Sequence, residues 1–156
     1  MTEDSLDRTD LTLLAGLQSD AKLSQGLLGA QVGLSAAAVN RRLRRLAELG
    51  YVDRTVAVLD ADRLGHPLTV IVQIEAVSEE VDKLDELQRA LVAAPQVQQC
   101  YYVTGQSDFV LVLTSRSMEA YDAFVERFLF SNRNVRRFET MVVMDRVKVG
   151  FDLPLD

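Results

Sequence analysis

The second half of the chain follows a strand–helix–strand pattern that occurs twice, and this repeat limits the possible folds most strongly. Continuous apolar runs alternate with segments in which apolar residues recur every three or four positions. The pattern predicts strands at 68–77, 97–103, 108–115 and 138–149, with helices at 79–93 and 117–130. Two such units in succession predict a ferredoxin-like βαββαβ domain in an α+β protein.

Two of the predicted strands are apolar on both of their faces. Phe109 to Leu113 is apolar at every position, and so is Met141 to Met144. The helices of a ferredoxin-like domain cover only one sheet face, whereas a strand that is apolar on both sides must be buried on both sides. We therefore expect the open face to pack against a second copy, which predicts a homodimer or a higher homo-oligomer.

The first half of the chain has the pattern of three short helices. Each predicted helix begins at a residue that is typical of helix N-caps, namely Asp7, Ser24 and Ser35. The helices are expected to cover about 7–19, 24–31 and 35–49. Gly33 suits the turn between the second and the third, and this arrangement predicts a helix-turn-helix.

Four arginines lie on the third predicted helix, in the stretch "SAAAVNRRLRRLAELG" at 35–50. The whole chain is acidic, with 17 Lys and Arg against 23 Asp and Glu. Residues 35–55 nevertheless hold five arginines against only Glu48 and Asp53, so the positive field is local. A solvated helix face is the simpler alternative. Small residues at the helix start would allow it to enter a major groove, and we favour DNA binding.

The composition argues against several other classes of function. A single cysteine, Cys100, excludes an internal disulfide, and the single histidine, His66, makes a metal cluster or a catalytic triad hard to build. No phosphate-binding glycine motif or metalloprotease motif is present. We therefore expect no enzymatic activity, no cofactor and no metal. The acidic start does not resemble a signal peptide, and no apolar run approaches the ~20 residues of a membrane span. We expect a cytoplasmic, nucleoid-associated protein that does not bind a membrane.

Several segments, in order, resemble the leucine-responsive/asparagine-responsive regulator (Lrp/AsnC) family. They are "LDRTDLTLL", "VGLSAAAVNRRLRRLAELGYV", "VQQCYYVTGQSDFVLVL" and "ETMVVM". The resemblance implies a transcriptional regulator that binds double-stranded DNA as a dimer or larger assembly. It also implies a small-molecule effector, for which an amino acid is the expected class.

The same resemblance implies how the chain is divided. A winged helix-turn-helix DNA-binding domain is expected at 1–59, where "YVDRTVAVL" at 51–59 reads as a strand. Residues 60–67 contain Gly and Pro and are expected to form a linker. A ferredoxin-like domain for effector sensing and oligomerisation is expected at 68–156.

The resemblance further implies which residues contact DNA. By matching position they are Ser35, Ala37, Ala38, Asn40, Arg41, Arg42, Arg44 and Arg45. The residues expected nearest the bases are Ala37, Ala38, Asn40 and Arg41. The other three arginines are expected to contact phosphates or to support the helix.

The effector site is implied to lie around "VTGQSD", the turn between the second and third strands. Its residues by matching position are Tyr102, Thr104, Gly105, Gln106, Ser107, Asp108, Met118, Thr140, Met141 and Val142. By residue type alone, Gly105 and Asp108 are more typical of a simple turn. The family commonly has an acidic or aromatic pair where Gln106 and Ser107 stand, and this departure favours an effector more polar than leucine.

Two alternatives to a ligand-responsive regulator stay open at this point. The first is an architectural DNA-binding protein that has no effector. The second is an enzyme that resembles the sirohaem decarboxylases, which share the two-domain architecture and need basic and histidine side chains around a porphyrin. The lone His66 lies in the predicted linker, so the enzyme is the weaker alternative.

Overall fold

The computed structural model of the protein describes residues 5–155, which form two compact units. The first unit lies within Met1–Ala57 and Lys148–Asp156, and the second within Val58–Val147. Each unit has its own hydrophobic core. No helix in the described part of the chain is both long and apolar enough to cross a membrane.

The first unit contains the three predicted helices. They are α1 (Arg8–Ser19), α2 (Gln25–Val32) and α3 (Ala36–Glu48). The side chain of each predicted N-cap residue accepts a hydrogen bond from a backbone amide of the first helical turn. The apolar stripes of the helices meet in a core whose fully buried members are Leu13, Leu28 and Val39.

Two glycines shape the turn between α2 and α3. Gly33 ends α2 in the left-handed conformation, with φ at 69°, which a side chain disfavours. A Cβ atom on Gly29 would collide with the backbone carbonyl of Leu34. The Leu34 amide donates to the Gly29 carbonyl at 2.9 Å. Gly29 therefore lowers the helix propensity of α2 but permits the tight return of the chain that positions α3.

The strand predicted at 51–59 does not form, and this prediction is wrong. The segment has no regular secondary structure, and Val56, Val58 and Leu59 are exposed. A strand needs a neighbour for its backbone amides and carbonyls. The sheet formed by the described residues includes no strand from this segment. The β-branched residues of the segment do favour a strand, but whether a strand forms depends on its structural context.

The second unit is the βαββαβ domain expected from the sequence. Its elements are β1 (Leu68–Ala76), α4 (Val81–Val92), β2 (Val97–Tyr102), β3 (Phe109–Ser115), α5 (Met118–Phe124) and β4 (Val135–Val142). The strands form one antiparallel sheet in the order β2-β3-β1-β4. The predicted helix at 117–130 is α-helical only as far as Phe124 and continues as a π-helical turn over Val125–Phe130.

The two faces of this sheet differ in burial. Alternate residues of β1 and β3, such as Val72 and Leu111, are fully buried in a core with residues of α4 and α5. On the other face, Ile71 pairs with Val112 on one side and with Met141 on the other. These three apolar side chains are only partly buried or exposed. The structure thus provides an apolar row on the face that α4 and α5 leave open.

The last strand is shorter at its C-terminal end than the predicted 138–149. It begins earlier, at Val135, and ends at Val142. Its partner β1 begins at Leu68, and the last backbone hydrogen bond between them is the Val143 amide donating to the Thr69 carbonyl at 2.9 Å. Beyond that point only Leu68 of β1 remains, so the apolar residues that follow Val143 lack the partner residues needed to extend the strand.

The segment that follows β4 returns to the first unit and is bound to α1. The side-chain amide of Gln18 donates to the Leu153 carbonyl at 2.8 Å, and its oxygen accepts from the Leu153 amide at 3.1 Å. One side chain therefore satisfies both backbone groups of one residue, as a neighbouring strand would.

Replacing Gln18 by alanine should release residues near Leu153 and leave the helices intact. The substitution removes two exposed hydrogen bonds, each worth about 0.5–1.5 kcal/mol. Hydrogen exchange should become several-fold faster at the Leu153 amide. Gln25→Ala is a matched control, because it removes another exposed glutamine from the same unit. Equal exchange at Leu153 in both variants would show that Gln18 does not hold the segment.

Candidate DNA-binding helix and effector loop

One face of α3 presents Ala37, Asn40, Arg41 and Arg44 to solvent. Their spacing of three, four and seven positions places them on the same side of the helix. The opposite side is anchored by Val39, which is fully buried. Within residues 5–155, Arg41 and Arg44 form no ion pair. This face, which we call the α3 outer face, therefore offers two unneutralised guanidinium groups and one side-chain amide.

Two other predicted DNA-binding residues lie at the start of the helix and are less available. The hydroxyl of Ser35 accepts a hydrogen bond from the Ala38 amide at 3.3 Å. Ala38 itself is half-buried. Both residues therefore set where α3 begins, and their small size keeps its N-terminal end narrow.

The remaining two arginines, Arg42 and Arg45, contact α1. Arg42 lies 2.6 Å from the Asp7 carboxylate and 2.8 Å from that of Asp10. Arg45 lies 2.9 Å from the second oxygen of Asp10. Asp10 is only 1 % exposed, so two arginines compensate its buried charge. These three ion pairs, together with the N-terminal cap of α1, hold α3 in a fixed rotation.

The same contacts affect the ionisation of these groups. The pKa of the Asp7 carboxyl lies below its ordinary range, first because the Asp10 amide donates to it and second because Arg42 does. The pKa of Arg42 is raised further, chiefly by its hydrogen bonds to Asp10 and then to Asp7. The pair formed by Asp7 and Arg42 is therefore charged at neutral pH.

Acid should weaken this ion pair. Because the folded pKa of Asp7 lies below the ordinary value of 3.8, its ionisation stabilises the fold above about pH 4. That contribution is lost as the pH falls through the folded pKa. The urea midpoint should therefore fall less between about pH 5 and pH 3 in Asp7→Asn than in the parent. Glu48→Gln, on the exposed side of α3, should behave like the parent. An unchanged acid response in Asp7→Asn would contradict this role.

The predicted effector loop is a tight turn closed by Asp108. Its carboxylate accepts from the Ala76 amide at 2.7 Å, where the pairing of β1 with β4 shifts register. The backbone amide of Asp108 donates to the Ile74 carbonyl at 2.8 Å, and the backbone carbonyl of Asp108 accepts from the Val103 amide. Gly105 has φ at 127°, a conformation that side chains rarely adopt. The turn chemistry expected from these residue types is therefore present.

The other residues of the loop face open space or the sheet. Thr104 and Gln106 are exposed, and the Ser107 hydroxyl lies 3.4 Å from the Gln73 side-chain oxygen. The ring of Tyr102 packs at 5.3 Å from that of Phe109. A cavity of only 80 Å³ lies beside Gln106 and Ser107. It is well below the ~300 Å³ at which small-molecule sites usually begin.

The remaining predicted effector residues lie farther along the same sheet, away from the loop. The loop adjoins the end where Phe109 pairs with Ile74, whereas Ser115 pairs with Leu68 at the opposite end. Met118 follows β3 at that opposite end, and Val142 pairs with Val70 near it. Thr140 and Met141 pair with Val72 and Ile71, in the middle of β1. Thr140 shares a hydrogen bond of 2.5 Å with the Tyr121 hydroxyl on the helix side. One chain therefore places the predicted effector residues in two groups, separated along the strands.

The single cysteine and the single histidine, Cys100 and His66, each contact other residues of the second unit. Cys100 packs against the core of the second unit, and burial raises the pKa of its thiol. His66 accepts a long hydrogen bond, 3.4 Å, from Arg116. No group of three metal-ligating side chains occurs among the residues the structure describes.

Reasoning from the sequence missed the acidic partners of the arginine helix. Asp7 was expected to cap α1, which it does, but neither Asp7 nor Asp10 was expected to receive Arg42 or Arg45. Arg42 borders the apolar stripe of α3, and this position was the available signal that it faces another helix. Which carboxylates it meets depends on how the helices pack.

Each of the two units matches a known protein family. Residues 6–53 match the model of a winged helix-turn-helix DNA-binding family, and residues 69–153 match that of the Lrp/AsnC ligand binding domain. The chain is 39% identical over 151 residues to an uncharacterized HTH-type transcriptional regulator of Sinorhizobium fredii, covering 97% of this chain and 89% of that protein.

Two solved structures have the same fold over nearly the whole chain. One is a transcriptional regulator from Neisseria meningitidis in complex with L-Met, with a TM-score of 0.92, 27% identity and coverage of 97% of this chain and 98% of that chain. The other is an AsnC family transcriptional regulator from Agrobacterium tumefaciens, with a TM-score of 0.90, 31% identity and coverage of 96% and 97%. The chain therefore belongs to the Lrp/AsnC family of transcriptional regulators, with a DNA-binding helix-turn-helix and a ligand-binding domain.

Proposed function

We propose that this chain binds specific DNA sequences as a dimer or larger assembly, and that an amino acid modulates its binding. The observation that carries the proposal is the α3 outer face. It is exposed, positively charged and held in a fixed rotation by the contacts of Arg42 and Arg45 with α1. The protein would act in the cytoplasm, on the nucleoid.

The side chains of this face suit the two kinds of contact that a recognition helix makes. The Asn40 amide has the donor and acceptor needed to read an adenine edge in the major groove. Arg41 and Arg44 can bind phosphates or a guanine edge. Ala37 adds little bulk, so the N-terminal part of α3 can approach the bases closely.

The open sheet face supports assembly. Ile71, Val112 and Met141 form an apolar row across three adjacent strands. Packing two such faces together would remove these side chains from water in both copies. A twofold axis would place the same row on each side of the interface.

Assembly also offers a way to complete the effector site. One chain separates the loop 104–108 from the group that contains Met118 and Met141, so we propose that the pocket forms between copies. The Asp108 carboxylate would accept a hydrogen bond from the ammonium of the effector. Backbone amides near Gly105 would donate hydrogen bonds to the carboxylate of the effector. The complex of the N. meningitidis regulator with L-Met supports an amino acid as the class of effector. Binding would then shift assembly and, by linkage, DNA affinity.

The effector proposal can be tested by titrating the twenty amino acids into the full chain and following heat. Asp108→Asn is the informative variant, because it removes the charge but keeps an oxygen for the Ala76 amide. We expect its affinity for a bound amino acid to be about tenfold lower than that of the parent. Asp145→Asn, an exposed site outside the loop, is the control. Equal affinity in Asp108→Asn and the parent would leave Asp108 as a turn residue only.

The two alternatives predict different results. An architectural DNA-binding protein would bind DNA but no amino acid. A sirohaem-decarboxylase-like enzyme would change the absorbance of added tetrapyrrole, and its weakness as a candidate is that the single histidine, His66, lies in the predicted linker. The names of the relatives described above support a regulator.

A further inference from the structure

A second cavity in the ligand-binding domain is much larger than the one beside the effector loop. It has a volume of 560 Å³ and lies between α4, the loop that follows β1, and the residues that follow the π-helical turn. This volume is within the range of about 300–1,000 Å³ that is typical of small-molecule sites. None of the predicted effector residues lines it.

The walls of this cavity are held together by Asn134. Its side-chain oxygen accepts from the Ser78 amide at 2.9 Å, and its amide nitrogen lies 3.2 Å from the carbonyls of Ser78 and Lys83. Its backbone amide donates to the Asn132 side chain at 2.9 Å. The loop after β1, the start of α4 and the turn before β4 are thus joined by one residue. The cavity is therefore preorganised.

The charges around the cavity are mostly positive, although the chain carries a net charge of −6. The charged side chains that line it are Lys83, Arg127, Arg133 and Glu86. The Lys83 ammonium forms an ion pair with the Glu80 carboxylate, with 3.1 Å between Nζ and Oε1. Arg127 and Arg133 form no ion pair with any residue between 5 and 155. The stretch 127–137 contains four arginines and no acidic residue.

The remaining lining residues provide polar and apolar contacts of a specific kind. The ring of Phe128 lies in the wall, with the Arg127 guanidinium 5.2 Å from its centroid. Ser131 and Asn132 add a hydroxyl and an amide on the same side. Arg127 lies in a π-helical turn, and Ser131 directly follows it. Such turns are common at functional sites.

From this geometry we propose that the cavity binds a phosphate monoester of about the size of a mononucleotide. Guanidinium groups bind phosphate oxygens in pairs, and a dianion would balance Arg127 and Arg133. The Phe128 ring would contact the apolar or aromatic part of the ligand. A free amino acid fits less well, because its ammonium would meet unneutralised arginines and much of the volume would stay empty.

Calorimetry on the full chain tests the proposal with three probes: adenosine 5′-monophosphate, inorganic phosphate and adenosine. We expect saturable binding of the monophosphate, weaker binding of phosphate and none of adenosine. Arg133→Gln should lower the affinity for the monophosphate by about tenfold. Arg136→Gln is the control, because it makes the same change in charge on the neighbouring strand, where Arg136 pairs with Glu75 at 2.8 Å. That variant should bind like the parent.

Three results would overturn the proposal. The first is the absence of saturable binding of either phosphate probe. The second is an equal loss in Arg133→Gln and Arg136→Gln, which would mean a general charge effect. The third is displacement of the monophosphate by duplex DNA in a variant that lacks Arg41 and Arg44, which would assign the cavity to DNA. None of these results bears on DNA binding by α3, since the two sites share no residue.

Discussion

Replacing Val112 by lysine should dissociate the assembled protein into monomers. Val112 lies at one end of the apolar row on the open sheet face, between Gln99 on β2 and Ile71 on β1. A lysine there would bring an unpaired charge into an apolar interface, which costs several kcal/mol. Because a twofold interface contains each residue twice, we expect a loss of about 4 kcal/mol or more per dimer. Sedimentation velocity of the full chain measures the change.

The control for this variant is Val92→Lys. Val92 lies on α4 and is 61 % exposed, so a lysine there adds the same charge without entering the sheet face. It should sediment like the parent. If Val112→Lys also keeps the size of the parent while remaining folded, the open face is not the interface, and the argument from two-sided apolar strands fails.

Replacing Arg41 and Arg44 together by glutamine should lower the affinity for DNA by about 30-fold to 150-fold. Each guanidinium is expected to make one charge-assisted contact worth about 1–1.5 kcal/mol at moderate salt. The slope of log affinity against log salt should also fall by about 1.8, since each phosphate neutralised contributes about 0.9. Fluorescence anisotropy with a labelled duplex at several salt concentrations gives both quantities.

Arg63→Gln combined with Arg89→Gln is the matched control for the change in charge. Both residues are exposed and lie outside the first unit. The control should leave the slope unchanged. The Arg42 and Arg45 positions are unsuitable for this test, because their substitution would also release α3 from Asp7 and Asp10. A parent-like slope in the Arg41 and Arg44 variant would rule out the α3 outer face as the phosphate-binding surface.

Helix positions in the first unit could be predicted closely because their signals are local. An N-cap side chain and the apolar stripe behind it act within a few residues, and both are visible in the sequence. The strand at 51–59 could not be predicted in the same way, because its formation depends on a neighbouring strand rather than on Val56 and Val58 themselves. The end of β4 likewise follows from where β1 begins.

The candidate site shows the same limit. The exposure of Asn40 and Arg41 follows from the periodicity of α3, so these residues could be assigned to an outer face in advance. The ion pairs of Arg42 and Arg45 depend on the packing of α3 against α1, which the sequence does not show. The effector residues were grouped by resemblance to the family. The register of the sheet then places Asp108 and Met118 at opposite ends of β3.

The π-helical turn and the cavity beside it lacked a usable sequence signal for a different reason. The residues "VERFLF" have apolar spacing that suits either helical form. The arginines at 127 and 133 are six residues apart and belong to different elements. Both line the cavity, whose walls are joined by the hydrogen bonds of Asn134 to the loop after β1 and to α4.

The most direct test of sequence-specific DNA binding by α3 is selection of bound duplexes from a random pool, with the parent and Asn40→Ala compared. The parent should enrich one motif, with two half-sites about one helical turn, or a multiple of it, apart. Asn40→Ala should enrich the same spacing with lost preference at one base position in each half-site, because Asn40 can read a base edge. Enrichment of no motif by the parent, or of an identical motif by Asn40→Ala, would contradict recognition through this face of the helix.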